Sequence, residues 1–284
     1  MDMISGLRDA ASRTKHPLQD EIRAAFSLEG RTAVVTGAAR GIGRQAAITF
    51  AQAGANVVIA DLQADGLAET EAAVAAIGTK VTVVPTDVTK SEAVDDLARA
   101  AVRASGRVDV WANVAGIIRR TPLLDTSDDD LDAIINVNLK GVFWGTAAAG
   151  RVMSSAKRGS IVNIASAGGE MAAPGISVYG MTKAGVIHLT RCAAAEFGPK
   201  GIRVNAVAPG FVETPMTSEN WTSADGAIDD AARSQLLAAR GAQSPLGITG
   251  ETTDITYAML YLAADASRFV TGTVMRPNGG VVMA

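Results

Sequence analysis

Tyr179 and Lys183 stand four residues apart in Val178-Tyr-Gly-Met-Thr-Lys183, a spacing that puts a phenol and an ammonium on one face of a helix. A free tyrosine has a pKa of about 10, too high to exchange protons at pH 7. Lowering it by roughly 3 units takes about 4 kcal/mol. One unit charge at about 4 Å supplies about that much where the effective dielectric constant is ~20. Lys183 is therefore expected to bring the Tyr179 phenol down into the range of general acid–base work. Exposed Tyr–Lys pairs with this spacing and no chemistry also occur, so the rest of the chain must decide.

A second chemical signal is Thr36-Gly-Ala-Ala-Arg-Gly-Ile-Gly43. It follows an apolar run and opens a helical pattern. Glycines in such a turn let the backbone approach a pyrophosphate laid over the helix N-terminus. Gly37, Arg40, Gly41, Ile42 and Gly43 are thus candidates for holding a dinucleotide. Asp61 ends the next apolar run. A carboxylate there accepts hydrogen bonds from an adenosine ribose and repels a 2′-phosphate, which favours NAD. Arg40 pulls toward NADP, because a guanidinium receives a phosphate well. Leu62 adds no further cation. Asp61 is also a good helix N-cap, so a purely structural role stays open.

The elements that must position these groups alternate along the chain. Apolar runs rich in Val and Ile mark strands at 32–36, 56–60, 80–84, 108–112, 160–164, 203–207 and 273–276. Their near-continuous hydrophobicity suits strands buried on both faces. Helical patterns cover 43–52, 66–77, 91–104, 128–155, 178–197 and 252–262. This alternation predicts a single α/β domain, doubly wound around a parallel sheet. Residues 1–27 fall outside it and read as an extension, either a flexible arm or a helix docked on a neighbouring subunit. Residues 215–247 interrupt the last third, with Trp221 and a helix-like stretch at 227–240, and read as a substrate loop or lid.

Composition narrows the function classes. The chain has 284 residues, 48% of them hydrophobic, and a net charge of −3. That supports a full core and argues against a nucleic-acid surface. One Cys and two His leave too few ligands for a zinc site, so no metal is expected. Nothing approaches a membrane span or a secretory leader, and the lone Cys192 fits a reducing compartment, so a cytoplasmic protein is expected.

In its motifs the chain resembles the short-chain dehydrogenase/reductase family, in the branch marked by T-G-x-x-x-G-x-G and Y-x-x-x-K. The resemblance runs from about residue 30 to 280. Asp87-Val88 matches the family's adenine-binding pair. Asn113-Val-Ala-Gly116 resembles N-N-A-G, with Val114 in place of the second Asn; the resemblance implies that Asn113, which is retained, steadies the sheet and the cofactor channel. Asn138 matches the catalytic Asn, and Ser166 falls 13 residues before Tyr179, the family's usual spacing. Pro209-Gly210, with Val212 and Thr214, matches the turn beside the nicotinamide. Arg276-Pro-Asn-Gly-Gly280 stands where the family often has V-D-G-G.

The resemblance implies a Rossmann sheet of seven parallel strands in the order 3-2-1-4-5-6-7, over residues 28–284. It implies a catalytic set of Asn138, Ser166, Tyr179 and Lys183. It also implies NAD contacts from the glycine turn, Asp61, Leu62, Asp87, Val88, Asn113, Ala115, Gly116, Tyr179, Lys183, Pro209, Gly210, Val212 and Thr214. Asn138 would position a water that links Lys183 to solvent. The substrate pocket is expected from Ile117, Gly168, Met171, Ile176, Phe211 and Met216, with Trp221 on the lid and Glu170 facing solvent. These walls suggest an apolar or cyclic secondary alcohol or ketone, interconverted by an NAD-dependent homo-oligomer, a tetramer or dimer. An NADPH-linked 3-oxoacyl thioester reductase is the alternative enzyme. An NAD-binding regulator or scaffold is the alternative without chemistry.

Overall fold

The computed structural model describes residues 17–218, 220–223 and 226–283. The first half of the expected extension, with His16, lies outside the described residues. Seven parallel strands form one sheet in the order β3-β2-β1-β4-β5-β6-β7. They are β1 Thr32–Thr36, β2 Asn56–Asp61, β3 Val81–Pro85, β4 Val110–Asn113, β5 Gly159–Ile164, β6 Ile202–Val207 and β7 Val274–Met275. The expected order holds. The last strand is shorter than the sequence pattern suggests, and Pro277, which has no N–H to give to a ladder, follows it closely.

Both faces of the sheet are covered, which is why its strands read as unbroken apolar runs. Side chains alternate across the pleat. Ala33, Val35, Val57 and Ile59 enter one core with Phe50, Ile255, Met259 and Leu262. Val34, Val58 and Ala60 enter the other with Leu97, Trp111, Met153 and Ile161. Helices α2 Gly41–Gln52, α3 Ala64–Ala75 and α10 Thr252–Ala263 cover the first face. Helices α4 Ser91–Ser105, α6 Gly141–Ala156 and α7 Ser177–Phe197 cover the second. Thr49 and Thr256 share a hydroxyl hydrogen bond of 2.9 Å where α2 crosses α10.

Three features differ from the sequence reading. The extension holds a helix, α1 Pro17–Phe26, whose end packs on its own subunit: the Phe26 ring lies 6.2 Å from that of Tyr261. The long helix expected at 128–155 is broken. α5 Asp128–Ile135 ends in one wide turn over Asn136–Lys140, where the Gly141 N–H reaches back to the Asn136 carbonyl, before α6 begins. Such wide turns are rare and commonly lie at functional sites. The 215–247 segment holds a short helix, α8 Pro215–Ser218, and then α9 Asp230–Ala242, capped by Asp229, whose carboxylate accepts from the Ala232 N–H at 2.9 Å.

Candidate active site

In an open parallel sheet, ligands bind outside the carboxyl ends of the strands, where the strand order reverses. Here the reversal falls between β1 and β4. A cleft of about 750 Å³ opens there, within the usual range for a small-ligand site.

The glycine turn forms one wall. Gly37 (φ +69°) and Gly41 (φ +56°) adopt conformations that L side chains rarely take. A Cβ on Gly43 would sit 1.9 Å from the Gly37 carbonyl oxygen, so that position admits no side chain. No side chain caps the N-terminus of α2, so its first N–H groups are left for a ligand. The turn thus fits a pyrophosphate.

At the end of β2, Asp61 is fixed by two backbone donors, Ala39 N–H at 3.1 Å and Gln63 N–H at 3.0 Å. It does not cap α3, whose first-turn boundary is Gln63. Its carboxylate lines the cleft beside Leu62, and Asp87 and Val88 follow at the end of β3. Arg40 also lines the cleft and is exposed. Arg44, by contrast, is used internally, on the Ala39 carbonyl, the Thr70 hydroxyl and Glu69.

Ser166, Tyr179 and Lys183 converge on the middle of the same cleft. Ser166 follows β5, and its Oγ accepts from the Gly168 N–H at 3.1 Å, which leaves the hydroxyl hydrogen free to donate. Lys183 is buried on α7 and donates to the Ile164 carbonyl at 2.8 Å. Its Nζ lies 5.7 Å from the centre of the Tyr179 ring. This geometry corrects the electrostatic expectation. Burial pushes the Tyr179 phenol up from its ordinary value, and a hydrogen bond with Ser166 and the charge of Arg120 pull it only partly back. Burial also lowers Lys183 itself to about 8. The ammonium makes its short contact with a carbonyl, and its distance from the ring is larger than the simple helical picture assumes. In the free protein the phenol is therefore a proton donor.

Asn138 sits in the wide turn, fully buried, behind the cleft wall. Its Oδ1 accepts from the Ile117 N–H and its Nδ2 donates to the Ile117 carbonyl, both at 2.8 Å. A Cβ built on Gly116 would lie 3.3 Å from Asn138 Oδ1 and 3.6 Å from Lys183 Nζ. The bare glycine therefore keeps a gap between those two side chains.

Most expected contacts line the cleft: every residue named for the nucleotide except Asn113, and every pocket residue except Trp221. Asn113 is buried beneath the wall. It donates to Asn163 Oδ1 at 2.8 Å and accepts from Trp111 Nε1 at 2.9 Å. Its carboxamide is spent on tying β4 to β5, so it supports the site without touching the cleft. Trp221 is 4% exposed and does not line the cleft; its backbone carbonyl accepts from the Asp229 N–H at 2.9 Å, and its large ring is buried rather than presented on a lid surface. Glu170 does not face solvent. It forms a largely buried ion pair with Arg276, at 2.7 Å between Nη2 and Oε1, tying the loop after Ser166 to β7. That pair accounts for the unusual Arg276.

The structure also brings in residues that the spacing did not reveal. Arg119 and Arg120 follow Ile118 on the loop after β4, and Arg240 and Gln243 reach the cleft from the end of α9. The doubled arginine just past the β4 motif was the only available signal. Nothing in the sequence pointed to Arg240.

A doubly wound sheet carrying a glycine turn and a Ser–Tyr–Lys cluster in one cleft defines an oxidoreductase that works with a nicotinamide nucleotide. Residues 37–282 match the protein family described as enoyl-(acyl carrier protein) reductase. The chain is 39% identical over 256 residues to a 3-oxoacyl-[acyl-carrier-protein] reductase of Thermotoga maritima, covering 90% of this chain and 99% of that one. It is 37% identical to gluconate 5-dehydrogenase of Gluconobacter oxydans, over 91% of this chain and 97% of that one. The crystal structure of a putative 2-deoxy-D-gluconate 3-dehydrogenase from Agrobacterium tumefaciens, with bound NADP, superimposes with a TM-score of 0.80 at 36% identity, covering 90% of this chain and 98% of that one. The chain belongs to the short-chain dehydrogenase/reductase family. Among the described residues, no helix is long and apolar enough to cross a membrane.

Proposed function

We propose that the protein is an NAD-dependent dehydrogenase/ketone reductase that interconverts a secondary alcohol and its ketone, with Tyr179 as general acid–base. The convergence of Ser166, Tyr179 and Lys183 on one cleft carries this reading. The bound nicotinamide supplies the hydride chemistry. In reduction, the protonated Tyr179 phenol gives its proton to the carbonyl oxygen; in oxidation, the phenolate takes it back. Ser166 donates to the same oxygen as charge develops there. Lys183 provides a positive charge beside the phenolate and, by family resemblance, a hold on the nicotinamide ribose. Asn138 pins Ile117, and the gap over Gly116 gives a water the room to link Lys183 to solvent. Ile117, Met171, Ile176, Phe211 and Met216 supply apolar walls that suit an apolar or cyclic substrate body. The 215–247 segment acts as the lid.

The choice of NAD rests on Asp61, whose fixed carboxylate faces the cleft and repels a 2′-phosphate. A second reading keeps Arg40 as its basis: an exposed guanidinium in the glycine turn would serve NADPH, and the Thermotoga relative's name then suggests a 3-oxoacyl thioester as substrate. The exposed Phe143 on α6 and Met181 on α7 support a homo-oligomer, a tetramer or dimer. The single cysteine, free and exposed, fits the cytoplasm.

The test is a screen of secondary alcohols and ketones with both nucleotides. Turnover with NAD at a kcat/KM at least about tenfold above that with NADP is expected, the size of one lost charge-assisted contact. A preference for NADP sinks the cofactor choice. NADH binding without any turnover favours a regulator or scaffold.

A further inference from the structure

The end of the cleft nearest Tyr179 carries an unbalanced positive charge. The only carboxylates lining the cleft among the described residues, Asp61 and Asp87, lie at the ends of β2 and β3. Arg119, Arg120 and Arg240 line the other part. Arg119 is already paired with Asp130 on α5. Arg120 has no ion pair among the described residues, is exposed, and lies close enough for its charge to act on the Tyr179 phenol. A second hollow of about 390 Å³ opens beside the cleft, and Arg119, Arg120 and Met216 line both. Arg120 therefore stands at a junction with room for a substituent next to the reacting carbon.

Arg240 gives an independent sign. Its guanidinium lies 5.5 Å from the centre of the Phe211 ring, and Nη1 donates to Gln243 Oε1 at 3.1 Å. Its Nε is buried with no hydrogen-bond partner. A buried guanidinium N–H left unsatisfied is costly unless a ligand supplies the acceptor. Phe211 directly follows the Pro209-Gly210 turn, so this donor sits at the substrate end of the site.

We propose that the substrate is a hydroxy acid and its keto acid, whose carboxylate is bound by Arg120 with Arg240 as the second cationic wall. The proposal rests on the dehydrogenase reading and names its substrate class. Guanidinium groups match carboxylates in shape and charge and bind them with charge-assisted hydrogen bonds. The carboxylate takes no part in the redox balance. The carbinol carbon would give its hydride to the nicotinamide of NAD, its hydroxyl would give a proton to the Tyr179 phenolate, and the acid group orients the carbinol between Tyr179 and Ser166. The apolar walls then accept the rest of the molecule, giving an apolar body with one anionic end.

The test compares 3-hydroxybutyrate, mandelate and 3-hydroxycyclohexanecarboxylate with their methyl esters, which keep the carbinol and lose the charge. In the native enzyme at least one acid should exceed its ester in kcat/KM by about 10- to 100-fold, the range of one charge-assisted contact. Arg120→Gln should bring that ratio toward one, Arg120→Lys should restore part of it, and Arg240→Gln should lower it less. Equal acid and ester rates overturn the proposal, as does a preference that survives both glutamine variants. A turnover-independent arm follows thermal stabilisation of the NADH-bound enzyme by butyrate and cyclohexanecarboxylate. If nothing is oxidised with NAD or NADP, the dehydrogenase reading fails. Stabilisation by these acids that is lost in Arg120→Gln then still supports the carboxylate site, and its absence overturns it.

Discussion

The nucleotide end of the cleft is made from strand ends and the turns that leave them, whereas its substrate end is made from a loop, a short helix and a helix end. Gly37–Gly43 follows β1 directly, Asp61 is the last residue of β2, and Asp87-Val88 lies just past the end of β3. Their places are set by the sheet register, in which Thr36 pairs with Ala60 and Ala60 with Val84. Arg119, Arg120, Met216 and Arg240 hang from connections whose paths no ladder dictates. Regular hydrogen bonding makes one end stiff and legible. Loop packing makes the other end specific to this chain. Tyr179, Ser166 and Lys183 stand at the seam, on a long helix and a strand end.

The sharpest way to break this division is at the seam. Tyr179→Phe should lower kcat by about 10²- to 10⁴-fold, the span of general acid–base catalysis, while NADH binding by fluorescence titration stays within about twofold. A near-normal kcat would remove the proton role. Loss of NADH binding would show that the two ends are not separable.

Lys183 tests the burial argument through stability. Its pKa falls from 10.5 to about 8 in the folded protein. Between those values the unfolded chain binds more protons, so stability rises with pH across that window. Below about pH 8 the buried charge costs up to about 3 kcal/mol. Lys183→Met should therefore raise the unfolding free energy of the cofactor-free protein at pH 7. The gain is reduced by about 1–2 kcal/mol for the orphaned Ile164 carbonyl and should vanish by pH 10.5. Urea unfolding at the two pH values reads it, and a pH-independent difference would break the account.

At the nucleotide end, Asp61→Ala should shift the NAD/NADP ratio of kcat/KM toward NADP by about 10- to 100-fold. An unchanged ratio would hand cofactor choice to Arg40. The smallest effect is expected at Gly116. Gly116→Ala places a methyl at 3.3 Å from Asn138 Oδ1 and 3.6 Å from Lys183 Nζ, narrowing the gap for a water. A loss of kcat below about tenfold is expected, one bridging hydrogen bond's worth. It should be larger at low pH buffer concentration, where solvent proton delivery limits. No dependence on buffer would deny the water path.

The parallel sheet, the glycine turn and the Tyr179–Lys183 pair were legible because each depends on local chemistry: two-faced burial along a strand, φ above zero at Gly37 and Gly41, and one helical turn between Tyr179 and Lys183. The strand order and Ser166 were legible only through the family resemblance. The same local reasoning misjudged residues whose partners are distant in sequence. Glu170 finds Arg276, more than a hundred residues away, and is buried. Trp221 is buried and does not line the cleft. The phenol's direction of shift was also misjudged, because helical spacing gives proximity but not where an ammonium points.

The sequence by itself was enough for the doubly wound parallel sheet and for the family, since periodicity, turn chemistry and motif spacing are written in neighbouring residues. Only the tertiary structure decided that burial outweighs the lysine at Tyr179. It alone decided that Asn138 braces Ile117 from a wide helical turn, and that three arginines from two separate connections line one end of the cleft. Desolvation and charge convergence depend on what surrounds a group in space, and no spacing along the chain encodes that.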